Sequence, residues 1–483
     1  MKHVLLAAAL SVLSVQAIVA QKAITLDDAL GMTLSDNPAV EALRYEEEAA
    51  HRERQAAIGL RMPKINITGA YTYMGKDIGF DFNNLKTDAN NAVTGIITSG
   101  IQQGIISPEM VPTIQGLLAP MMGADWSFSI QNRSFGFVGG EVTVPIWLGG
   151  KINTASRAAR LNESSVRESG RQTRNALISE LVERYFGLAL AKQAAEVRRQ
   201  VVDGMRKHLE DAQSLERNGM LARSELLYVE YKMAEAEREL ADAELQVRTI
   251  SDALNNTLGK RDGEYTPVTE MFIPENMESV DYFRQMAADR SPILSQVSLK
   301  RDLAGENVRL QRSAFFPQVV AMGGASLYNY QVTNILPRWA VGVGVSFKIF
   351  DGLNREYKYS AAKQTLHRVE ALQEKAENDI AVLVEKLYNQ MLNQRNRLRS
   401  LEASAAFAEE YLAAKNKAFL EGMSPSADLI DAELNLAKVR TERLQAAYEF
   451  DVALARLLEA AGASDEFGSY ARRADARKIS FNE

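Results

Sequence analysis

Cysteine is absent from this 483-residue chain. That excludes a disulfide scaffold, an iron–sulfur cluster and the cysteine-linked anchor of bacterial lipoproteins. Histidine is scarce too: there are four, one of them His3, which leaves little for a metal site. The net charge of −6 is small for the length and argues against a nucleic-acid partner. Beyond the first twenty residues no run is apolar enough to cross a bilayer as a helix, which sets aside a helical integral membrane protein. Catalytic motifs are missing as well, with no Gly-x-Ser-x-Gly, no phosphate-binding glycine loop and no histidine pair at ligand spacing. The pair Gly342 and Gly344 fits a strand face that needs small residues. No enzyme activity and no cofactor or metal site is expected.

Breakers are missing over long distances. Lys151 to Asn218 holds no proline and only Gly170, Gly187 and Gly204, while Asn354 to Glu421 holds neither glycine nor proline. At 1.5 Å per residue each stretch is a helix of about 100 Å, far beyond globular lengths. Such helices need lateral partners along their whole length. Leu429, Ala432, Leu436, Val439, Arg443, Ala446, Phe450, Ala453 and Leu457 recur at alternating steps of three and four, a coiled-coil seam. Leu372, Ala376, Leu383, Leu387, Leu398, Leu401, Ala405 and Leu412 make a looser stripe on the preceding helix.

What is present is written twice. Asn37-Pro38 pairs with Ser291-Pro292, and Pro63 with Pro317, at an offset of 254. Ile146-Trp147 pairs with Ile349-Phe350, Gly219-Met220 with Gly422-Met423, and Gly259 with Gly462, at an offset of 203. The first copy therefore carries 51 more residues (254 less 203), all between Pro63 and Ile146. A unit of this size repeated in register suggests a pseudosymmetric architecture.

The expected organisation is a signal peptide over 1–20, with Lys2, an apolar stretch from Val4 to Leu13 and a cleavage site before Gln21. A first repeat follows over 21–263, a second over 264–463, and a tail over 464–483. Each copy reads as helix, strand, strand, long helix, turn and helix. One helix is expected from Leu26 to Leu60, stopped by Pro63. Ile65 to Tyr73 alternates as a strand, with a return near Phe135 to Trp147, so that the first β-hairpin covers about 64–148. The second, about 317–350, is built from Val319–Tyr330 and Trp339–Phe350. There Val341, Val343, Val345, Phe347 and Ile349 form one apolar face. The segment 76–122 reads as a long loop with a short helix from Pro108 to Leu118. In the turns, Gly219 and Gly422 suit the left-handed position that ends a helix, with Ser424 as N-cap and Pro425 opening the next.

Two hairpins give four strands, which cannot close a barrel, and open edges do not survive in lipid. Three copies would supply twelve strands, an even number within the outer-membrane range. The expected fold class is mainly α with a membrane β-barrel portion, in which a homotrimer forms a 12-stranded barrel continuous with a periplasmic α-helical barrel. The long insert would then face the cell surface. The expected function is a conduit.

On these residues the chain resembles the TolC-like outer-membrane efflux proteins over nearly the whole mature sequence. The resemblance rests on the duplication, Leu30 with Asn37-Pro38, Pro63 and Pro317, and Pro145-Ile-Trp-Leu-Gly-Gly150 with its echo Phe350-Asp-Gly352. The Gly219 and Gly422 turns complete the set. It implies outer-membrane lipid around the barrel, docking to a periplasmic adaptor (membrane fusion) protein and an inner-membrane transporter, and no chemistry. It also implies that acidic residues after the second helical turn narrow the periplasmic end. Asp428 and Asp431 stand there, with Glu225 and Tyr228 at the equivalent places in the first copy. Charged rings of this kind favour cations, a reading preferred over Asp428 merely complementing the helix N-terminus. The hairpin tips Gly219, Met220, Gly422 and Met423 are the expected adaptor-docking surface. Relatives of the best-known type lock the tip with an arginine and a tyrosine where this chain has Ser424 and Phe419. That leaves the latch open; Arg223 stands near the first turn, but nothing in the sequence establishes it as a substitute. A periplasmic coiled-coil tether accounts for the helices equally well but not for the alternating strands.

Overall fold

The computed structural model describes residues 22–333, 337–421 and 423–479. The expected signal peptide and Gly422 lie outside the described residues. In chain order the elements are β1 (Lys22–Ile24), α1 (Leu26–Asp36), α2 (Pro38–Gly59), β2 (Lys64–Tyr73), β3 (Ile78–Asp81), α3 (Asn83–Gln102), α4 (Val111–Gly123), β4 (Ser127–Gln131), β5 (Ser134–Leu148), α5 (Lys151–Arg217) and α6 (Arg223–Thr257). They continue with β6 (Tyr265–Pro267), β7 (Met271–Pro274), α7 (Val280–Arg290), α8 (Pro292–Ser313), β8 (Gln318–Tyr330), β9 (Trp339–Ser346), α9 (Asn354–Leu420), α10 (Ser426–Ala461), α11 (Phe467–Ala471) and β10 (Ala476–Ile479). The chain divides into a helical unit (22–54, 157–308, 361–479) and a sheet unit (55–156, 309–360).

Several expectations are corrected. The first helix is two, because Pro38 cannot donate a backbone hydrogen bond and Asn37 at the junction is extended. Asn37 is held there by its own side chain, whose amide donates to Thr257 O at 2.9 Å. The insert is not an open loop. β3 and β4 pair as a second hairpin, and α3, a 3-10 turn at Pro108–Met110 and α4 lie between them in sequence. Strand β9 ends at Ser346 rather than Phe350, since the carbonyls of Lys348 and Ile349 accept from the Arg355 guanidinium at 2.6 and 2.9 Å. Ser424 is not the cap of α10. Pro425 takes that position, extended and without a side-chain bond.

Within the sheet unit, β2, β5, β8 and β9 form one antiparallel sheet in that order, leaving β2 and β9 as its edges. The register sorts side chains onto two faces. Ile65 and Ile67 of β2 lie on the same face as Val142 of β5, Ala321 of β8 and Val343 of β9. Asn66 and Thr68 lie opposite with Glu141, Gly324 and Gly342, and Asn66 Nδ2 donates to Glu141 Oε1 at 2.9 Å. The apolar face is open: Ile65 is 72% exposed, Ile67 72%, Val341 77% and Val343 65%. Alternation of period two with an uncovered apolar face is the pattern of a strand that meets lipid.

The helical unit has a different core. Tyr185, Phe186, Phe272, Phe283, Phe450 and Phe467 are almost fully buried in one cluster where α5, α7 and α10 meet β7. Tyr185 ties it to the N-terminus. Its hydroxyl donates to Ile24 O at 2.8 Å and accepts from the Val268 and Thr269 amides at 3.1 and 3.0 Å. The α10 seam is buried as expected except Arg443, which is half-buried. In the α9 stripe Leu387, Leu398 and Ala405 are buried, Ala376, Leu401 and Leu412 are half-buried, and Leu372 and Leu383 are exposed in the single chain.

The duplication is visible as one contact made twice. Gly259, at φ +68°, lies against the Asp36–Asn37 backbone, where a Cβ would sit 2.4 Å from Asp36 O. Gly462, at φ +75°, lies against the Arg290–Ser291 backbone, with 2.3 Å to Arg290 O. In each copy the glycine that ends the last helix leaves room for the junction ahead of the X-Pro helix.

Candidate functional site

The turn after α5 is set by hydrogen bonds that the left-handed Gly219 makes possible. Met220 N donates to Leu215 O and Gly219 N to Glu216 O, both at 2.9 Å, a Schellman end for α5. Met423 N donates to Ala418 O at 2.8 Å, the corresponding bond at the end of α9. Met220 and Met423 are 75% and 70% exposed, so each turn presents a flexible apolar side chain to its surroundings. Nothing lies within 4 Å of a Cβ built on Gly219.

Asp428 stands in the first turn of α10. Its Oδ2 accepts from Lys415 Nζ at 2.6 Å and from Ser424 Oγ at 3.1 Å. The Lys415 hydrogen bond, followed by Ser424, holds the carboxyl below the usual carboxylate range, and the same contact raises Lys415. Lys415 also lies over the Tyr411 ring at 5.6 Å. Asp428 is therefore a paired charge, while Asp431, one turn on, is exposed. Glu225 occupies the first turn of α6 and is half-buried, and Arg223 is exposed. The structure does not bring Arg223 to Asp428 through any hydrogen bond or ion pair among the described residues. Phe419 is buried, edge-on to His208 with ring centroids 4.7 Å apart.

Two features escaped sequence reading. Lys415 and Asp428 lie on opposite sides of the turn between α9 and α10, and the antiparallel helical hairpin pairs them across it. The three glycines of α5 looked like breakers, yet the helix runs unbroken through all of them. Two are places of close approach, to Glu47 at Gly170 and Glu433 at Gly204, while Gly187 sits in ordinary contact with Tyr448.

An open-edged sheet with an exposed apolar face, joined in sequence to paired helices of 67 residues, is an arrangement shared with known proteins. The profile of the outer membrane efflux protein family matches residues 120–260 and 283–463. The chain belongs to that family. It is 24% identical over 310 residues to the alkaline protease secretion protein AprF of Pseudomonas aeruginosa, covering 60% of this chain. That match spans 62% of the relative, less than two-thirds of its length. It is 23% identical over 316 residues to the cobalt-zinc-cadmium resistance protein CzcC of Cupriavidus metallidurans, covering 63% of this chain and 72% of that one. The solved outer membrane protein VceC of Vibrio cholerae shares the fold, with a TM-score of 0.68 and 14% identity over 91% of this chain and 96% of that one. This TolC-like efflux family protein is an outer-membrane protein, with the fold of channels that extend into the periplasm.

Proposed function

We propose that three copies of this chain form an outer-membrane exit duct. Each copy contributes four strands to a 12-stranded barrel and two long helical hairpins to a periplasmic α-barrel. The observation that carries this reading is the four-stranded sheet with both edges unpaired and one apolar face exposed. Open edges are untenable in hydrocarbon, and closure with further copies removes them. The apolar face would meet lipid, and the face of Asn66, Thr68, Glu141 and Gly342 would line the lumen. A structural tether has no use for such a face. The insert, with α3 and α4, would stand at the cell surface, as long barrel loops do.

At the other end, the exposed Met220 and Met423 with the turns at Gly219 and Gly422 would dock a periplasmic adaptor, which links the duct to an inner-membrane transporter. Asp428, Asp431 and Glu225 would ring the periplasmic narrowing. Since Lys415 offsets Asp428, the exposed Asp431, which makes no ion pair among the described residues, would dominate the field that selects cations. The relatives act in protease secretion and in metal resistance, so the cargo follows from the transporter rather than from this chain.

Conductance of the detergent-extracted protein in planar bilayers tests this reading, with wild type compared against Asp428→Ala plus Asp431→Ala. Small cation-selective openings whose selectivity drops in the double variant are expected. Openings of unchanged selectivity would remove the acidic narrowing. A protein that inserts and never conducts, even with both hairpin turns deleted, would remove the duct.

A further inference from the structure

Between α5, α9 and α10, close to the helical turns, lies a cleft of about 400 Å³. Its chemistry is unusual for a surface groove. The Glu433 carboxylate of α10 points at Gly204 of α5 so closely that a Cβ there would sit 1.8 Å from Oε1. Any residue other than glycine at 204 would displace it. Beside it His208, one turn further along α5, is 5% exposed, and its Nε2 has no hydrogen-bond partner among the described residues. Phe419 of α9 closes the cleft edge-on against that imidazole.

We propose that this cleft is a proton-operated catch. With Glu433 protonated, its carboxyl rests on Gly204 and holds the start of α10 against α5; with Glu433 ionised, the side chain swings to water and that end of α10 is released.

The physical reason is solvation. An ionised carboxylate laid against a helix backbone and an aromatic wall loses water without gaining a partner. The charged groups around it are Lys207 and Asp211 of α5 and Glu409 of α9, the last held by Arg440 of α10 at 2.9 Å. None of them is hydrogen-bonded to Glu433 among the described residues. Burial pushes the Glu433 carboxyl up to about 7. It pushes the His208 imidazole below its usual range, against an opposing pull from Asp211. Below about pH 7 the Glu433 carboxyl is thus mostly protonated and the cleft is closed, and as pH rises through 7 the carboxyl ionises and the catch releases. The start of α10 also contributes Ile430 and Ala437 to a second apolar cluster with Val202 and Met205 of α5 and Val229 of α6. Releasing Glu433 therefore loosens the seam between the two helical hairpins. The catch is a property of the single chain and stands or falls apart from the duct reading.

The cysteine-free background provides a direct test. Ala437→Cys places one thiol in the buried cluster, one turn beyond Glu433. Its maleimide labelling rate is measured on the full-length protein from pH 5.5 to 8.5, with and without Glu433→Gln. The ratio of the two rates cancels the thiol's own titration. If the released carboxyl titrates at 4.5 and the packed one at about 7, the ratio rises by up to about thirtyfold over this range, with its steepest part below pH 7. A flat ratio would overturn the proposal. Gly204→Ala fills the saddle, so labelling should be fast even at pH 5.5 and insensitive to Glu433→Gln. Retention of the wild-type pH curve in Gly204→Ala, with unchanged helix content by circular dichroism, would also overturn it.

Discussion

Three glycines at nearly the same φ allow conformational strain to be separated from crowding. Gly219 (+71°), Gly259 (+68°) and Gly462 (+75°) all occupy the left-handed region at a helix end. Alanine there costs roughly 1–2 kcal/mol from the Cβ alone. At Gly219 nothing else is added, because no atom lies within 4 Å of the new methyl. At Gly462 the methyl would sit 2.3 Å from Arg290 O and 2.7 Å from its carbon, and at Gly259 2.4 Å from Asp36 O. Both contacts are with backbone, which cannot rotate away, so the end of the last helix must separate from the X-Pro junction. That separation opens the edge of a packed core, and overpacking adds roughly 1–3 kcal/mol. Gly259→Ala and Gly462→Ala should therefore cost about 2–5 kcal/mol, against about 1–2 for Gly219→Ala. Urea midpoints in detergent, read by tryptophan fluorescence and circular dichroism, would rank the three. The reasoning fails if Gly219→Ala destabilises as much as Gly462→Ala, or if Gly259 and Gly462 behave differently from each other.

Four further outcomes are expected. Tyr185→Phe leaves the Thr269 amide and part of the Ile24 carbonyl unpaired in a dry core, a loss of about 2 kcal/mol in the same urea assay. Val343→Arg places a charge on the apolar sheet face at a cost of about 2–4 kcal/mol if that face meets lipid; Gly342→Ser, on the other face with nothing within 4 Å, should be tolerated. Outer-membrane fractionation reads both. Lys415→Met removes the counter-charge of Asp428 and should strengthen cation preference in bilayers, while Asp431→Asn weakens it. For pH, the folded-state pKa of Glu433 lies above its ordinary 4.5, at about 7. Its contribution is thus fully present below about pH 4.5 and lost as pH rises through 7, with a ceiling of about 3 kcal/mol. Glu433→Gln should be the more stable protein at pH 8, and the two should converge near pH 4.5.

Much of the architecture was legible because it is periodic. The three-four spacing from Leu429 to Leu457 reports burial, the two-residue alternation from Val341 to Val345 reports a strand with one apolar face, and both elements form where the pattern runs. The repeat offsets were legible for a different reason: Gly259 and Gly462 answer to one backbone contact, so neither glycine is replaceable. The insert hid its helices because they have almost no core. Ile97 is the single buried hydrophobic in α3 and none is buried in α4, so Asn, Thr and Gly residues obscure any stripe. Asn37-Pro38 was read as a marker of register when it is also a break. At the helical turns, the acidic residues were visible as a charge pattern, but their partners were not. Lys415 pairs with Asp428 across a hairpin, and Glu433 meets Gly204 between hairpins, a contact no local pattern records.

The duct reading rests on the closure of the sheet edges β2 and β9 by further copies of this chain. Native mass spectrometry of the detergent-extracted particle measures that closure by counting chains. Three chains per particle, unchanged on dilution, is the expected result; a stable single chain that remains folded and inserted in membranes would contradict it.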